Sequence, residues 1–455
     1  MKKRTQKLAA LFLTGILTTV VAAGCGGGGT SSDAGTDTST AESTETETEG
    51  AAEVSSDDIG EPNGGAEVTL WHYFEHEADA LNQMVKQYNE SQSDIYIVPT
   101  FVSRDELMKQ YTIGAVSGEL PDIGMVDSPD MASYISLGVF EYITEYVGDW
   151  EDLDQFYEGP LASVKDAEGN IYGLPNNSNC LAIACNMDIL RAAGIENPPT
   201  TWEEFREVCE KTTNEAEGVY GFAMCSISNE EGTFQYIPWL YGAGGDVTDI
   251  DSDAAVESLT FLSDLVKDGY MSKEVVNWGQ GDAYNAFLAG KAAMLESGTW
   301  QIATLDGQDK DKVTFDYEYV AMPMNGENQA TCIGGENFGV CAGSEYVEEC
   351  ADFLMSMMSA QNNADWCEIA GKLPVRGDAV ELKDFWTADA RYKVFNDSMN
   401  FAVARGPHES WPTISEAIYT AEQSAILGEK TPEEALAEAA ATIDPILEET
   451  PIATQ

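Results

Sequence analysis

The chain has 455 residues, 79 of them acidic against 23 basic, and a formal charge of −56. A chain this acidic is repelled by nucleic acid and by anionic headgroups, which excludes both as partners of its surface and mildly favours neutral or cationic ligands. With 43% hydrophobic residues it has the material to fold, and its length suits two cores rather than one.

Lys2, Lys3, Arg4 and Lys7 precede an apolar run from Leu8 to Ala23. That run is too short and too rich in Ala, Gly and Thr to span a bilayer comfortably. A basic segment, an apolar segment and small residues before a cleavage point read as an export signal over 1–24. The cleavage point is Ala22-Ala23-Gly24-Cys25. Small residues before a cysteine suit lipoprotein processing, in which the Cys25 thiol is lipidated and becomes the first residue of the mature chain. Ala22 stands where a leucine is commonest. Residues 25–66 hold no Lys, Arg or aromatic side chain. They are expected to form a disordered acidic linker, because they have little apolar surface to bury and their acids repel one another. The expected location is the extracellular face of the cell membrane, with the lipid at Cys25 as anchor.

Strand and helix patterns then alternate. Glu67-Val-Thr-Leu-Trp71 reads as a strand, and Ala78, Leu81, Val85 and Tyr88 form a helical stripe. Ile95-Tyr-Ile-Val98 is a second strand, Leu107, Met108, Tyr111 and Ala115 line a second helix, and Asp122-Ile-Gly-Met-Val126 is a buried third strand. This βαβαβ order predicts a mostly parallel sheet covered by helices, with ligands at the carboxyl ends of its strands. Further on, Thr201-Trp-Glu-Glu204 and Thr431-Pro-Glu-Glu434 are capping boxes that open helices. Apolar stripes predict helices near 253–267, 282–290, 345–359 and 414–427.

Cys180, Cys185, Cys209, Cys225, Cys332, Cys341, Cys350 and Cys367 follow the anchor cysteine. Their even number permits disulfides in an exported protein, but no CxxC pair occurs. Cys180 and Cys185 should point to opposite faces of one strand, so buried free thiols are at least as good a reading as bridges.

Catalytic and metal signatures are weak. His72 and His76 are four apart beside Glu75 and Glu77, yet this is not an HExxH arrangement, and no metal is expected. Asp249-x-Asp251-x-Asp253 imitates an EF-hand start, but Ala254 and Thr260 stand where the loop needs glycine and glutamate. Asp253 is better read as the start of a helix. Gly290-Lys291 lacks the rest of a phosphate loop and no GxSxG elbow occurs. No cofactor is expected. The many acids leave a glycosidase carboxylate pair open, although no local motif marks one.

Several ordered runs resemble the family 1 extracellular solute-binding proteins of ABC importers, the maltose-binding-protein-like receptors. They are Pro121-Asp122-Ile, Tyr172-Gly-Leu-Pro175, Asn186-Met-Asp188-Ile-Leu-Arg-Ala-Ala-Gly194, Pro198-Pro-Thr-Thr-Trp202-Glu-Glu-Phe205, Ala286-Phe287-Leu-Ala-Gly290-Lys-Ala-Ala-Met294 with Gly298-Thr-Trp300, Gly334-Gly-Glu-Asn337-Phe-Gly339, and Gly371-Lys-Leu-Pro374-Val-Arg376. The resemblance covers nearly all of 67–445. It implies an α/β, two-lobed periplasmic-binding-protein-like fold of type II, with the ligand cleft between lobes. The implied chain crossings lie near 177–181, 334–339 and 371–375. The N-lobe would take 67–178 and 336–372, and the C-lobe 179–335 and 373–455.

The resemblance also carries over candidate ligand contacts. These are Trp71 and Tyr73 after the first strand, Asp127 and Asp130 after the third, and Asn179 after the first crossing, where some relatives have glutamate. Trp239 and Tyr241, Trp300, Glu336 and Asn337 follow, then Trp411 in a stretch expected to be non-helical. Aromatic faces cover sugar C–H surfaces while amides and carboxylates bond hydroxyls. The implied function is a monomeric, non-enzymatic receptor that hands a carbohydrate to the transmembrane subunits of an ABC permease. The acids keep a cationic solute such as a polyamine, and a glycoside hydrolase, as alternatives. Trp150, Trp202, Trp366 and Trp386 are read as packing.

Overall fold

A computed structural model describes residues 54–75 and 77–452. Its strands are β1 (Ala66–His72), β2 (Ile95–Phe101), β3 (Ile123–Asp127), β4 (Gly173–Pro175), β5 (Leu181–Asn186), β6 (Tyr220–Ala223), β7 (Ala292–Gly298), β8 (Tyr317–Val320), β9 (Thr331–Ile333), β10 (Glu336–Val340) and β11 (Ala402–Ala404). The export signal, Cys25 and His76 lie outside the described residues. No described helix is long and apolar enough to cross a membrane.

The expected βαβαβ unit is present. β1 pairs in parallel with β2 and with β3. The helix Ala78–Ser91 turns Ala80, Leu81, Met84, Val85 and Tyr88 inward, which is the face its apolar spacing dictates. The first sheet has the order β2-β1-β3-β10-β4. β10 enters it from far along the chain, antiparallel to β3 and β4. A second sheet has the order β6-β7-β5-β8, and β11 pairs with β9 alongside it. β5 shows why both faces of this second sheet need cover. Leu181, Ile183 and Cys185 join one apolar core, while Ala182 and Ala184 join the other, as the two-residue period of a strand requires.

Between the sheets, three stretches lie side by side. Asn179 and Gly334 exchange backbone bonds of 3.0 and 2.9 Å, and Ser178 and Leu373 exchange bonds of 2.8 Å each. These strands are packed so closely that only glycine fits at one point. Gly335 has φ 151°, and a Cβ there would stand 2.2 Å from the Asn177 carbonyl oxygen. Past Leu373 the chain does not go straight to the second sheet, where the C-lobe segment was expected to resume. Arg376 is fully buried beneath the Trp150 and Phe156 rings, with bonds to Asp378, Asp152 and the Met358 carbonyl. The helix Ala390–Ser398 then packs on β5 and β8. The local reason is that Arg376 has its carboxylate partners on the first-sheet side.

Two further expectations are corrected. The linker was expected to run unfolded to residue 66, yet Ser56–Ile59 form a helical turn and Ile59 is buried. Asn63 Nδ2 donates to the carbonyls of Asn89, Gln92 and Ile95 at 2.9–3.0 Å, and Tyr96 Oη donates to Gly60 O at 2.7 Å. Hydrogen bonds from one amide dock this piece, and apolar composition does not register them. Trp411, expected in a non-helical stretch, opens the helix Trp411–Ile426, with Pro412 in its first turn, a position where proline loses no helix bond. The helix Glu230–Gly242 was not anticipated. Asn229 caps it, and Pro238 within the run Pro238–Gly245 hid it. All eight body cysteines are free and buried, and burial pushes the Cys180 thiol up to about 12.

Candidate ligand-binding cleft

The strand ends of the first sheet face three helix N-termini and the stretch after β11 of the second across a cavity of about 450 Å³. From the first side come Tyr73 after β1, Phe101 and Arg104 at the end of β2, and Asp127 at the end of β3. Asn179, Gly334, Glu336 and Lys372 come from the crossings. From the second side come Glu230, Glu231 and Phe234, then Gln280 and Asn285, Trp300 and Gln301 after β7, and Arg405 after β11. Such concave, mixed walls of a few hundred Å³ are characteristic of small-molecule sites. Trp300 lies back over Gly298, where a Cβ would stand 1.8 Å from the indole. That contact gives the run Gly298-Thr-Trp300 its physical reason.

The charges of the cleft are paired. Asp127 accepts from Arg104 at 2.6 Å and from both terminal nitrogens of Arg405 at 3.2 Å. Arg405 also donates to Glu230 Oε1 at 2.6 Å and stacks over Phe234 at 4.4 Å. Burial alone would raise the Asp127 carboxyl, but the two guanidiniums hold it below the usual range. Asp130 goes the other way, raised by burial and by the nearby carboxylates of Glu230 and Asp127. Lys372 bridges Glu77 at 3.1 Å and Glu336 at 3.7 Å, with its ammonium 4.8 Å above the Trp300 ring. Burial and then Lys372 act in opposite senses on Glu336, and the net shift is upward.

Around this cavity several buried polar atoms lack a partner among the described residues: Tyr73 Oη, Asn179 Oδ1, Gln301 Oε1, Glu336 Oε2 and Arg405 Nε. Buried polar groups are nearly always bonded, so this concentration of unpartnered atoms around one cavity is unusual.

Of the residues expected to touch ligand, Tyr73, Asp127, Asn179, Trp300 and Glu336 line this cavity, and the rest do not. Trp71 stacks on Tyr111 with centroids 6.2 Å apart. Asp130 is buried behind Asp127, 4.0 Å from Arg104. Trp239 donates to Glu296 at 2.8 Å inside a cluster with Trp202, Phe205, Phe222 and Phe261. Tyr241 is half-buried, and its Oη accepts from Val247 N at 3.5 Å. Asn337 bonds Ser163 at 3.0 Å; it follows Glu336 directly on β10, so its side chain points to the opposite face. Trp411 is fully buried, and its Nε1 holds Glu230 Oε2 at 3.1 Å, so it braces a cleft carboxylate.

The sequence reading missed Arg104, Glu230, Phe234, Gln301, Lys372 and Arg405. The strand-end rule that selected Tyr73 and Asp127 would have found Arg104 beyond β2, and Lys372 lies inside a predicted crossing. Glu230 and Phe234 sit on the unanticipated helix.

Residues 83–394 match the family model for bacterial extracellular solute-binding proteins, and the chain belongs to that family. A binding protein of Brucella abortus is 24% identical over 87% of this chain and 95% of its own length. Among solved structures, an ABC transporter solute-binding protein of Thermotoga lettingae, bound with α-D-tagatose, superposes with a TM-score of 0.78. It is 25% identical and covers 84% of this chain and 100% of its own. Maltose-bound MalE3 of T. maritima gives 0.75 at 23% identity, with the same coverage. The fold is the two-lobed, mixed α/β architecture of those receptors.

Proposed function

We propose that the cleft captures a carbohydrate and that the chain delivers it to an ABC permease. The observation that carries this reading is the set of unpartnered buried polar atoms at Tyr73, Asn179, Gln301, Glu336 and Arg405, set among the rings of Tyr73, Phe234 and Trp300. Hydroxyls donate and accept, and sugar C–H faces stack on aromatic rings. The tagatose and maltose bound by the two similar structures support it. A polyamine fits less well, because Asp127, Glu230, Glu77 and Glu336 already hold Arg405, Arg104 or Lys372.

Thermal-shift screening against a panel of mono- and oligosaccharides is expected to give a stabilising hit, since a ligand preferring the native state raises Tm. Stabilisation by non-sugars alone would sink the sugar reading, and slow release of cleaved product from a bound oligosaccharide would favour the hydrolase. The chain is proposed to act as a monomer, exported and anchored through lipid on Cys25. Incorporation of labelled palmitate that is lost in Cys25→Ser is the expected result, and equal labelling of both forms would refute the anchor.

A further inference from the structure

We propose that Arg405 and Asp127 form a releasable latch between the two lobes, set in the wall of the cleft. Arg405 belongs to the second lobe. The strand just before it pairs with β9, Ala404 opposite Ile333, and β9 packs against the helix Glu230–Gly242. Its main partner, Asp127, belongs to the first lobe, at the register position of β3 opposite Glu336. The guanidinium therefore spans the lobes with two nitrogens on two oxygens, each at 3.2 Å. A rotation about the crossings at Ser178, Asn179, Gly334 and Leu373 separates this pair.

Such a buried bridge would normally lock the lobes, because breaking it strands two charges in a poor dielectric. Here each half has a second partner within its own lobe. Asp127 keeps Arg104 at 2.6 Å, and Arg405 keeps Glu230 at 2.6 Å, itself braced by Trp411. Opening leaves no bare charge on either side, so the latch can release. The remaining nitrogen, Arg405 Nε, has no partner among the described residues and belongs to a side chain that lines the cavity. The planar fork of the guanidinium presents both terminal nitrogens at once to the two oxygens of Asp127. Lysine, a single point of charge, has no such plane. A second interlobe bond, Ser136 Oγ to Glu409 at 3.1 Å, lies at the exposed surface.

The test measures interlobe distance without sugar. Spin labels are placed at Val116→Cys and Ala441→Cys, both exposed, in a Cys25→Ser background, since the eight described native thiols are buried. Pulsed dipolar spectroscopy then compares the otherwise unchanged protein with Arg405→Lys and with Asp127→Asn. Each substitution is expected to lower the short-distance fraction at least threefold, and the double variant no further, with Tm reporting that each is folded. An unchanged distribution in either folded variant overturns the proposal. Absence of any stabilising sugar in the thermal-shift panel counts against the carbohydrate reading alone, since the distance measurement contains no sugar.

Discussion

Trp300→Leu is expected to weaken sugar binding about 30-fold or more, the effect of losing a buried aromatic anchor at a binding site worth about 2 kcal/mol. The substitution removes three things at once: the broad face proposed to cover ligand C–H groups, the ring stacked against Phe234 at 6.4 Å and 30°, and the surface beneath the Lys372 ammonium. Trp300→Phe keeps a smaller face and should retain most of the affinity. Trp71→Leu provides the contrast, because Trp71 stacks on Tyr111 and does not line the cavity. Calorimetric titration with the best sugar of the thermal-shift panel measures all three. Equal dissociation constants for Trp300→Leu and the parent would remove Trp300 from the site.

Arg376→Ala should produce the largest loss of stability, about 3 kcal/mol, because it empties a fully buried site and removes the donor to a buried carbonyl, while Asp152 and Asp378 are partly exposed. The side chain is fully buried. It donates twice to Asp378 at 2.7 Å, once to Asp152 at 3.0 Å and once to the Met358 carbonyl at 2.6 Å. Two aromatic rings cover its guanidinium at 5.4 and 5.7 Å. Alanine leaves the Met358 carbonyl without this donor and a space the size of the side chain. Scanning calorimetry should show Tm lower by about 6–12 °C for a lobe of this size. A change under about 2 °C would mean that neighbouring water and side chains replace everything Arg376 supplies. The effect on sugar affinity at low temperature should be small, because Arg376 does not line the cleft.

Much of this architecture is legible in the chain because it rests on short-range patterns. The alternation along Glu67–Trp71, the apolar run Ile95–Val98, the stripe Ala78-Leu81-Val85-Tyr88 and the capping box at Thr431 each become the element their pattern or cap dictates. The crossings are placed by resemblance alone, and the close backbone approach at Gly335 supplies the physical reason for a glycine there. The cleft is less legible, and the reason is geometric. A strand end tells which residue leaves the sheet, but not which way its side chain turns. Glu336 and Asn337 are adjacent, and only one lines the cavity. Tryptophan count misled for a related reason. Trp239 and Trp411 sit beside the cleft in sequence terms, yet large rings are also the best fillers of a core. The cations escaped notice because Arg104, Lys372 and Arg405 come from three distant stretches, and only the fold makes them neighbours.

The eight sequestered thiols give the molecule an internal clock for its own unfolding. Cys341, Cys350 and Cys367 pack with the first sheet, and Cys185, Cys209 and Cys332 with the second. A thiol held away from solvent, with its proton tightly retained, reacts with an alkylating agent only when the surrounding core opens. Peptide-resolved alkylation would therefore time the two halves of the receptor independently, with no engineered label, and would show which one a bound ligand protects.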